Sequence, residues 1–261
     1  MSAGSLRRVP TVLAIDVGNT STSFALVRGK RVVRPSRLPS SESSPAQIRA
    51  ALQTVAGKES VQSVVAASVV PSAVAPWTNA VRRVLGLGVH WVSHRSPLGV
   101  PISYPQPKSI GADRLANVAG AVARYGAPVV VADFGTALTF DIVGRTEGYR
   151  GGIIAPGLPL MFGYLADRTA LLPRIGPGPV RGVVGRSTEQ AMRIGATLGY
   201  RGMIREIFEA LREEIDDPAL TFVVTGGDAR WVVRQLRMEI VLDPYLTLFG
   251  LARIGELLQR S

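Results

Sequence analysis

The chain has 261 residues, enough for one large domain or two lobes, and 46% of them are apolar against only 6% aromatic, so a core of Val, Leu, Ile and Ala is expected. It has no Cys and two His, which excludes a disulfide framework, a thiol nucleophile and Cys-based zinc, and leaves most metal-dependent hydrolases without ligands. The formal charge of +11 suits anionic ligands in general: nucleotides, phosphates, nucleic acid or acidic membranes.

Residues 1–10 carry Arg7 and Arg8 without an apolar run, and read as a short tail rather than a secretory signal. Thr11 to Ile15 predicts a strand that enters the turn Asp16-Val17-Gly18-Asn19-Thr20, and Phe24 to Val27 predicts its hairpin partner. Arg28, Lys30, Arg31, Arg34 and Arg37 then crowd one segment without interleaved aromatics, so base stacking is not indicated and a solvated hairpin is expected. A Ser/Pro-rich loop near Ser36 to Pro45 follows, then a helix to about Val55, a buried strand near Val61 to Ala67 and a helix around Ala73 to Leu85. The charge-free run Ser60 to Val81 has the length of a membrane span, but Pro71, Pro76, Gln62 and Asn79 break it into strand, turn and helix. His90 and His94 flank Trp91 in a short apolar stretch and carry no catalytic role.

Gly111-Ala112-Asp113-Arg114 opens a helix with Leu115, Val118, Ala119 and Val122 on one face and Gly126 and Pro128 at its end. Asp113 suits the positive end of the helix dipole, but Arg114 does not, which hints that the guanidinium is placed for an anion. Such a start can accept a hydroxyl proton and bind a substrate carboxylate at once.

The second half opens as the first does. Pro128 to Ala132 predicts a strand running into Asp133-Phe134-Gly135-Thr136-Ala137-Leu138-Thr139, the counterpart of Asp16-Val17-Gly18-Asn19-Thr20-Ser21-Thr22. This internal duplication predicts an α/β protein of two similar lobes, over 11–125 and 126–261, facing each other across a cleft to which each donates an acidic hairpin tip. Tips of small residues bring backbone N–H groups close to a polyphosphate, and Asn19, Thr20, Ser21, Thr22 and Ser23 add donors, while an Asp holds a hydrated cation. Neither a P-loop nor a G-x-G-x-x-G fingerprint is present, so phosphate binding falls to the tips.

Further on, Gly151-Gly152 and Pro156-Gly157 make a turn leading into a helix, and a Gly/Pro loop covers Gly176 to Gly185. Ser187 and Gln190 form a capping box that starts a long helix with Thr188 at its N-terminus. A strand at Thr221 to Val224 ends in Thr225-Gly226-Gly227-Asp228, whose glycines either serve the strand-to-helix turn alone or also let a nucleotide base or ribose lie flat against backbone, and a final helix starts near Leu246.

In joint order, Asp16-Val-Gly-Asn-Thr, Ala67-Ser-Val-Val-Pro, Tyr104, Gly111-Ala-Asp-Arg, Asp133-Phe-Gly-Thr-Ala, Gly151-Gly-Ile-Ile-Ala-Pro-Gly, Thr169-Ala-Leu-Leu-Pro, Gly185-Arg-Ser-Thr, Thr225-Gly-Gly-Asp and Asp243-Pro-Tyr-Leu resemble the type III pantothenate kinases across nearly the whole chain. The resemblance implies the duplicated ribonuclease-H-like fold of the actin-like ATPases, and transfer of the γ-phosphoryl of ATP to pantothenate, the first step towards coenzyme A. It implies that Asp16, Val17, Gly18, Asn19, Thr20, Ser21, Thr22 and Ser23 bind ATP phosphates, that Thr136 also touches ATP, and that Asp133 holds a monovalent cation, K⁺ or NH₄⁺. It further implies that Tyr104, Gly111, Ala112, Asp113, Arg114 and Thr188 line the pantothenate site, with Asp113 the proton acceptor. Mg²⁺ with the nucleotide, a homodimer and a cytoplasmic location are expected on the same ground, and neither membrane nor nucleic acid is an expected partner. Ser21 and Ser23 stand where many relatives carry Asn or a longer side chain. The alternative reading is a non-catalytic, kinase-like regulatory or nucleic-acid-binding protein, which the charge of +11 favours and the retention of Asp16, Asp113, Asp133 and Arg114 opposes.

Overall fold

The computed structural model describes residues 10–40, 43–236 and 238–260; of the expected tail, all but Pro10 lies outside them. The chain divides into two units, the first reaching Arg124 and resuming at Tyr245, the second running from Tyr125 to Pro244.

In the first unit, β1 (Thr11–Val17) pairs antiparallel with β2 (Ser21–Arg28), which pairs antiparallel with β3 (Arg31–Pro39). On the other side, β4 (Ser63–Ser68) lies parallel to β1, and β5 (His90–Trp91) parallel to β4, giving the order β3-β2-β1-β4-β5. In the second unit, β6 (Val129–Phe134), β7 (Ala137–Gly144), β8 (Gly148–Pro156), β9 (Thr221–Thr225) and β10 (Val241–Leu242) form a sheet of order β10-β9-β6-β7-β8. Read from the other edge this is the same order with the same strand directions, so the duplication legible in two heptapeptides extends to whole sheets. This is the duplicated ribonuclease-H-like, actin-like α/β fold.

The helices of the first unit are α1 (Pro45–Ala56), α2 (Val74–Leu85) and α3 (Ala112–Tyr125). In the second unit they are α4 (Leu158–Arg168), α5 (Thr188–Ile215) and α6 (Ala229–Gln235). One face of the first sheet, through Leu13, Ile15, Phe24 and Leu26, packs on Ile48 and Leu52 of α1 and Trp77 and Val81 of α2. In the second unit Val130, Phe140 and Phe222 pack on Phe162 of α4 and on Tyr200, Ile204 and Phe208 of α5. Every second residue of β2 and β7, Phe24 and Leu26 or Leu138, Phe140 and Ile142, points into these cores, where aliphatic burial supplies most of the driving force at about 25 cal/mol per Å².

Two features depart from the expectation. The final helix, α7 (Leu246–Leu258), packs on β1, β2 and β4 and so belongs to the first unit, although the lobe boundary predicted at 125/126 would leave it with the second. Its apolar residues are buried nearly all round, and it crosses α3 at glycines: a Cβ on Gly250 would stand 1.8 Å from the Ala116 carbonyl oxygen, and one on Gly120 2.8 Å from that of Leu246. Close crossing also brings the Thr247 hydroxyl to donate to the buried Asn117 side-chain oxygen at 2.7 Å. The second departure is β3, which continues through residues 36–39, where a loop is expected. It is an edge strand with a bulge, two residues, Arg34 and Pro35, standing against Ala25 alone, and a proline is tolerated there because no ladder bond is needed from it.

The crossing predicts that Gly250→Ala lowers unfolding stability by about 1–3 kcal/mol or more, as overpacking does. Gly195→Ala, in the exposed interior of α5 with nothing within 4 Å of the added carbon, raises it by about 0.5–1 kcal/mol. Urea titrations of both variants check the signs, and a Gly250→Ala protein as stable as the parent would refute the close crossing.

Candidate functional site

The first tip hangs between β1 and β2. Asp16 is half-buried, opposite Ser23 on β2 and beside Ala67 on β4. The last strand pair is Val17 with Thr22, so residues 18–21 make the turn, and the Gly18 N–H donates to the Ser21 carbonyl at 3.1 Å. That bond closes the turn on itself, and it consumes a donor that the tip was expected to offer a phosphate. The Val17 side chain is fully buried in the core and Thr22 is 1% exposed, its hydroxyl 3.0 Å from that of Ser40. Neither side chain can reach a ligand at the tip. Asn19 and Thr20 are exposed and Ser21 and Ser23 half-exposed, so the side chains that can donate are those four. The Ser40 N–H donates to the Thr20 carbonyl at 3.1 Å and the Val69 N–H to that of Val17 at 3.1 Å, clasping the tip from both neighbouring strands.

Also in the first unit, Gly111 to Arg114 starts α3. The Asp113 Oδ1 accepts from the Arg114 N–H at 2.8 Å and lies over Gly111, where a Cβ would stand 2.5 Å from it. A side chain at position 111 would therefore displace the carboxylate that folds over it. Asp113 and Arg114 are both half-buried, off the buried stripe that includes Leu115 and Val118, as expected. Tyr104 lies half-buried in the segment before this helix.

The second tip lacks one residue of the first. Its last pair is Phe134 with Leu138, leaving residues 135–137 in the turn, with the Gly135 N–H donating to the Ala137 carbonyl at 3.1 Å. Asp133 stands opposite Thr139 and beside Thr225 on β9. Two glycine turns press on this tip. A Cβ on Gly157 would come within 2.3 Å of the Gly135 and Thr136 carbonyls, and the Gly157 N–H donates to Thr136 at 3.2 Å. Gly226, at φ +96°, would put a Cβ 2.5 Å from the Asp133 Oδ1 and from the Phe134 carbonyl, to which the Asp228 N–H donates at 3.2 Å. Gly227 has no atom within 4 Å of its would-be Cβ. Of the two glycines assigned to a nucleotide, Gly226 is thus required by packing, and Gly227 is the one with open space beside it. Near this turn the Tyr200 hydroxyl is held protonated well above its ordinary range, by burial first and by the Asp228 charge second.

Thr188 is exposed at the first position of α5. Ser187 caps that helix through the Gln190 N–H at 3.2 Å, while the Gln190 side chain accepts from the Arg186 N–H at 3.0 Å, one residue ahead of the expected box. His90 bonds the Ser96 hydroxyl at 2.9 Å, and burial lowers its pKa. Among the described residues no cluster of three or more Asp, Glu or His could hold a metal.

The packing separates the paired glycines. Gly226→Ala destabilises the fold by about 1–3 kcal/mol, whereas Gly227→Ala unfolds at the parent's temperature and shows any deficit only in nucleotide affinity. Thermal melts with and without ATP measure both; equal melting losses for the two would contradict the geometry.

A family model described as type III pantothenate kinase matches residues 12–210. The chain is 43% identical over 244 residues to a type III pantothenate kinase of Akkermansia muciniphila, covering 92% of this chain and 96% of that one. It is 39% identical over 249 residues to one of Methylacidiphilum infernorum, covering 95% and 89%. Among solved structures, a Campylobacter jejuni chain assigned to the Baf family of transcriptional activators aligns with TM-score 0.60 at 17% identity, over 95% of this chain and all of that one. Component A of the (R)-2-hydroxyglutaryl-CoA dehydratase of Acidaminococcus fermentans aligns with TM-score 0.53 at 13% identity, over 95% and 98%. These two likenesses concern the fold alone. The duplicated sheets, the acidic turn at the end of each first strand and the Gly-Ala-Asp-Arg helix start coincide with a family match over most of the sequence, and the chain belongs to the type III pantothenate kinase family.

Proposed function

We propose that this chain transfers the γ-phosphoryl group of ATP to the primary hydroxyl of pantothenate, giving 4'-phosphopantothenate, the first step of coenzyme A biosynthesis. The observation that carries the reading is the Asp113 carboxylate, folded over Gly111 at the start of α3 in a chain of this family. One of its oxygens is fixed by the Arg114 N–H, and the other accepts the hydroxyl proton of the acceptor. Phosphoryl transfer has a loose transition state, so the base needs only to be well placed, and most of the catalysis is positioning and charge neutralisation.

Asn19, Thr20, Ser21 and Ser23 bind phosphate oxygens through their side chains, and Gly18, Val17 and Thr22 shape the turn that presents them. Asp16 takes the Mg²⁺ that accompanies the nucleotide; a half-buried carboxylate flanked by hydroxyl residues is a fitting donor for a hydrated divalent ion. Asp133, fixed against Gly226, takes the monovalent cation, Thr136 touches ATP, and Gly227 admits the adenosine. Tyr104, Gly111, Ala112 and Arg114 line the pantothenate site with Thr188, the Arg114 guanidinium binding the substrate carboxylate.

A second copy of the chain completes the protein as a homodimer. Ile154, Leu160, Tyr164, Leu165 and Leu171 are exposed along the end of β8, α4 and the segment after it, a concentration of large apolar side chains that a partner would cover. Among the described residues no helix is long and apolar enough to cross a membrane, and a pathway that uses ATP and pantothenate places the reaction in the cytoplasm.

Coupled measurement of ADP release tests the reading. Turnover is expected to require pantothenate and to rise with K⁺, and Asp113→Asn is expected to lower kcat by about 10²- to 10⁴-fold with little change in the KM for ATP. Full activity in Asp113→Asn would remove the proposed base. Light scattering tests the dimer: Tyr164→Glu is expected to halve the particle mass, and an unaltered mass would place the interface elsewhere.

A further inference from the structure

The first tip has a chemical gap. From Asp16 to Ser23 it carries one carboxylate and no cation, yet it is to bind a polyphosphate. The structure brings a cation to it from outside the turn: the Arg37 Nε on β3 donates to the Ser21 hydroxyl at 2.6 Å. We propose that Arg37 is a phosphate-binding residue of the nucleotide site, its guanidinium oriented by Ser21 so that its terminal N–H groups meet the polyphosphate. The inference rests on the kinase reading above and adds to it a residue outside the tip motif.

The backbone explains why Arg37 stands there. Between Arg28↔Arg31 and Leu26↔Val33 the β2–β3 ladder runs in one register, and from Phe24↔Ser36 to Ser21↔Pro39 it runs in another, displaced by the bulge at Arg34 and Pro35. Without the inserted residue Arg37 would pair with Thr22, whose side chain is buried. With it, Arg37 pairs with Ser23 and shares the face of Ser21 and Ser23, because alternate residues of a strand point to opposite faces and a one-residue slip exchanges them. Arg34 holds the bulge in place. It is one of two non-glycine residues with positive φ among those described, and its guanidinium donates to the carbonyls of Val55 and Ala56 at the end of α1, at 3.2 and 3.4 Å.

Two other cations of this segment are engaged elsewhere: Arg28 and Arg34 both pair with Glu59. Arg37 is exposed and forms no salt bridge among the described residues, and its planar fork keeps donors on the edge that Ser21 leaves. Of the five basic residues read from the sequence as a solvated hairpin, Arg28 and Arg34 therefore anchor the hairpin and Arg37 stands at the turn.

The test compares Arg37→Gln, Arg37→Lys and Arg31→Gln in steady-state kinetics, equilibrium ATP binding and thermal melts. Arg31 is an exposed cation on the same hairpin, so its loss changes net charge equally without touching the tip. Arg37→Gln is expected to raise the KM and Kd for ATP about 10- to 100-fold, the range of a charge-assisted hydrogen bond, with the KM for pantothenate changed by less than about twofold. Arg37→Lys is expected to recover most of the loss, and Arg31→Gln to behave as the parent. The proposal is overturned if Arg37→Gln matches Arg31→Gln, or if it raises both KM values while lowering the melting temperature and Arg37→Lys restores nothing, which is the mark of a structural role. A parent protein without pantothenate-dependent turnover would defeat the kinase reading instead, and the ATP Kd of the same variants would still decide the place of Arg37.

Discussion

Each of the two tips depends on a carboxylate fixed at the end of a buried strand, one residue before the chain must turn. Asp16 and Asp133 each occupy this place, with a neighbour on either side from β2 and β4 or from β7 and β9. A strand with a neighbour on either side and both faces buried cannot shift register without driving every side chain into the opposite packed face, so the aspartate's position is held by the apolar packing behind it. Each turn is then closed by a bond from its own glycine, which settles the backbone.

The two tips are alike in topology and unlike in surroundings. The first is four residues long, offers Asn, Thr and Ser, and is clasped by Ser40 and Val69. The second is three residues long and is pressed by Gly157 and Gly226, whose missing side chains leave room for its carbonyls. A turn rich in hydroxyls and amide presents side-chain donors; a carboxylate set among backbone groups and glycines presents charge with little side-chain bulk around it. Duplication thus supplied two equal frames, and the difference in chemistry arose from the turns and what covers them.

The charge of +11, which as a total says only that anions are attracted, gains meaning once residues are placed. Arg28, Arg34 and Arg145 pair with Glu59 and Asp217, and Arg124 stacks over the Phe249 ring at 3.8 Å, so part of the excess is spent on holding elements together. Surface pairs of this kind contribute about 0–1 kcal/mol each, and their value here lies in fixing bulges, helix ends and loops.

Much was legible in the residues. The repeated Asp-x-Gly turns after apolar strands predicted two copies of one unit, because a strand's period and a turn's composition are local properties; the helix start at Gly111 to Arg114 and the long helix from Thr188 were readable for the same reason. What the order of residues could not disclose is which sheet α7 packs on, that Gly120 and Gly250 meet, or that Val17, Thr22 and Gly226 serve packing, since these depend on contacts between distant segments. Nor could it show that Arg34 and Pro35 form a bulge and that this bulge turns Arg37 toward Ser21: a one-residue slip changes no composition, and only the pairing of β2 with β3 decides which face a side chain takes.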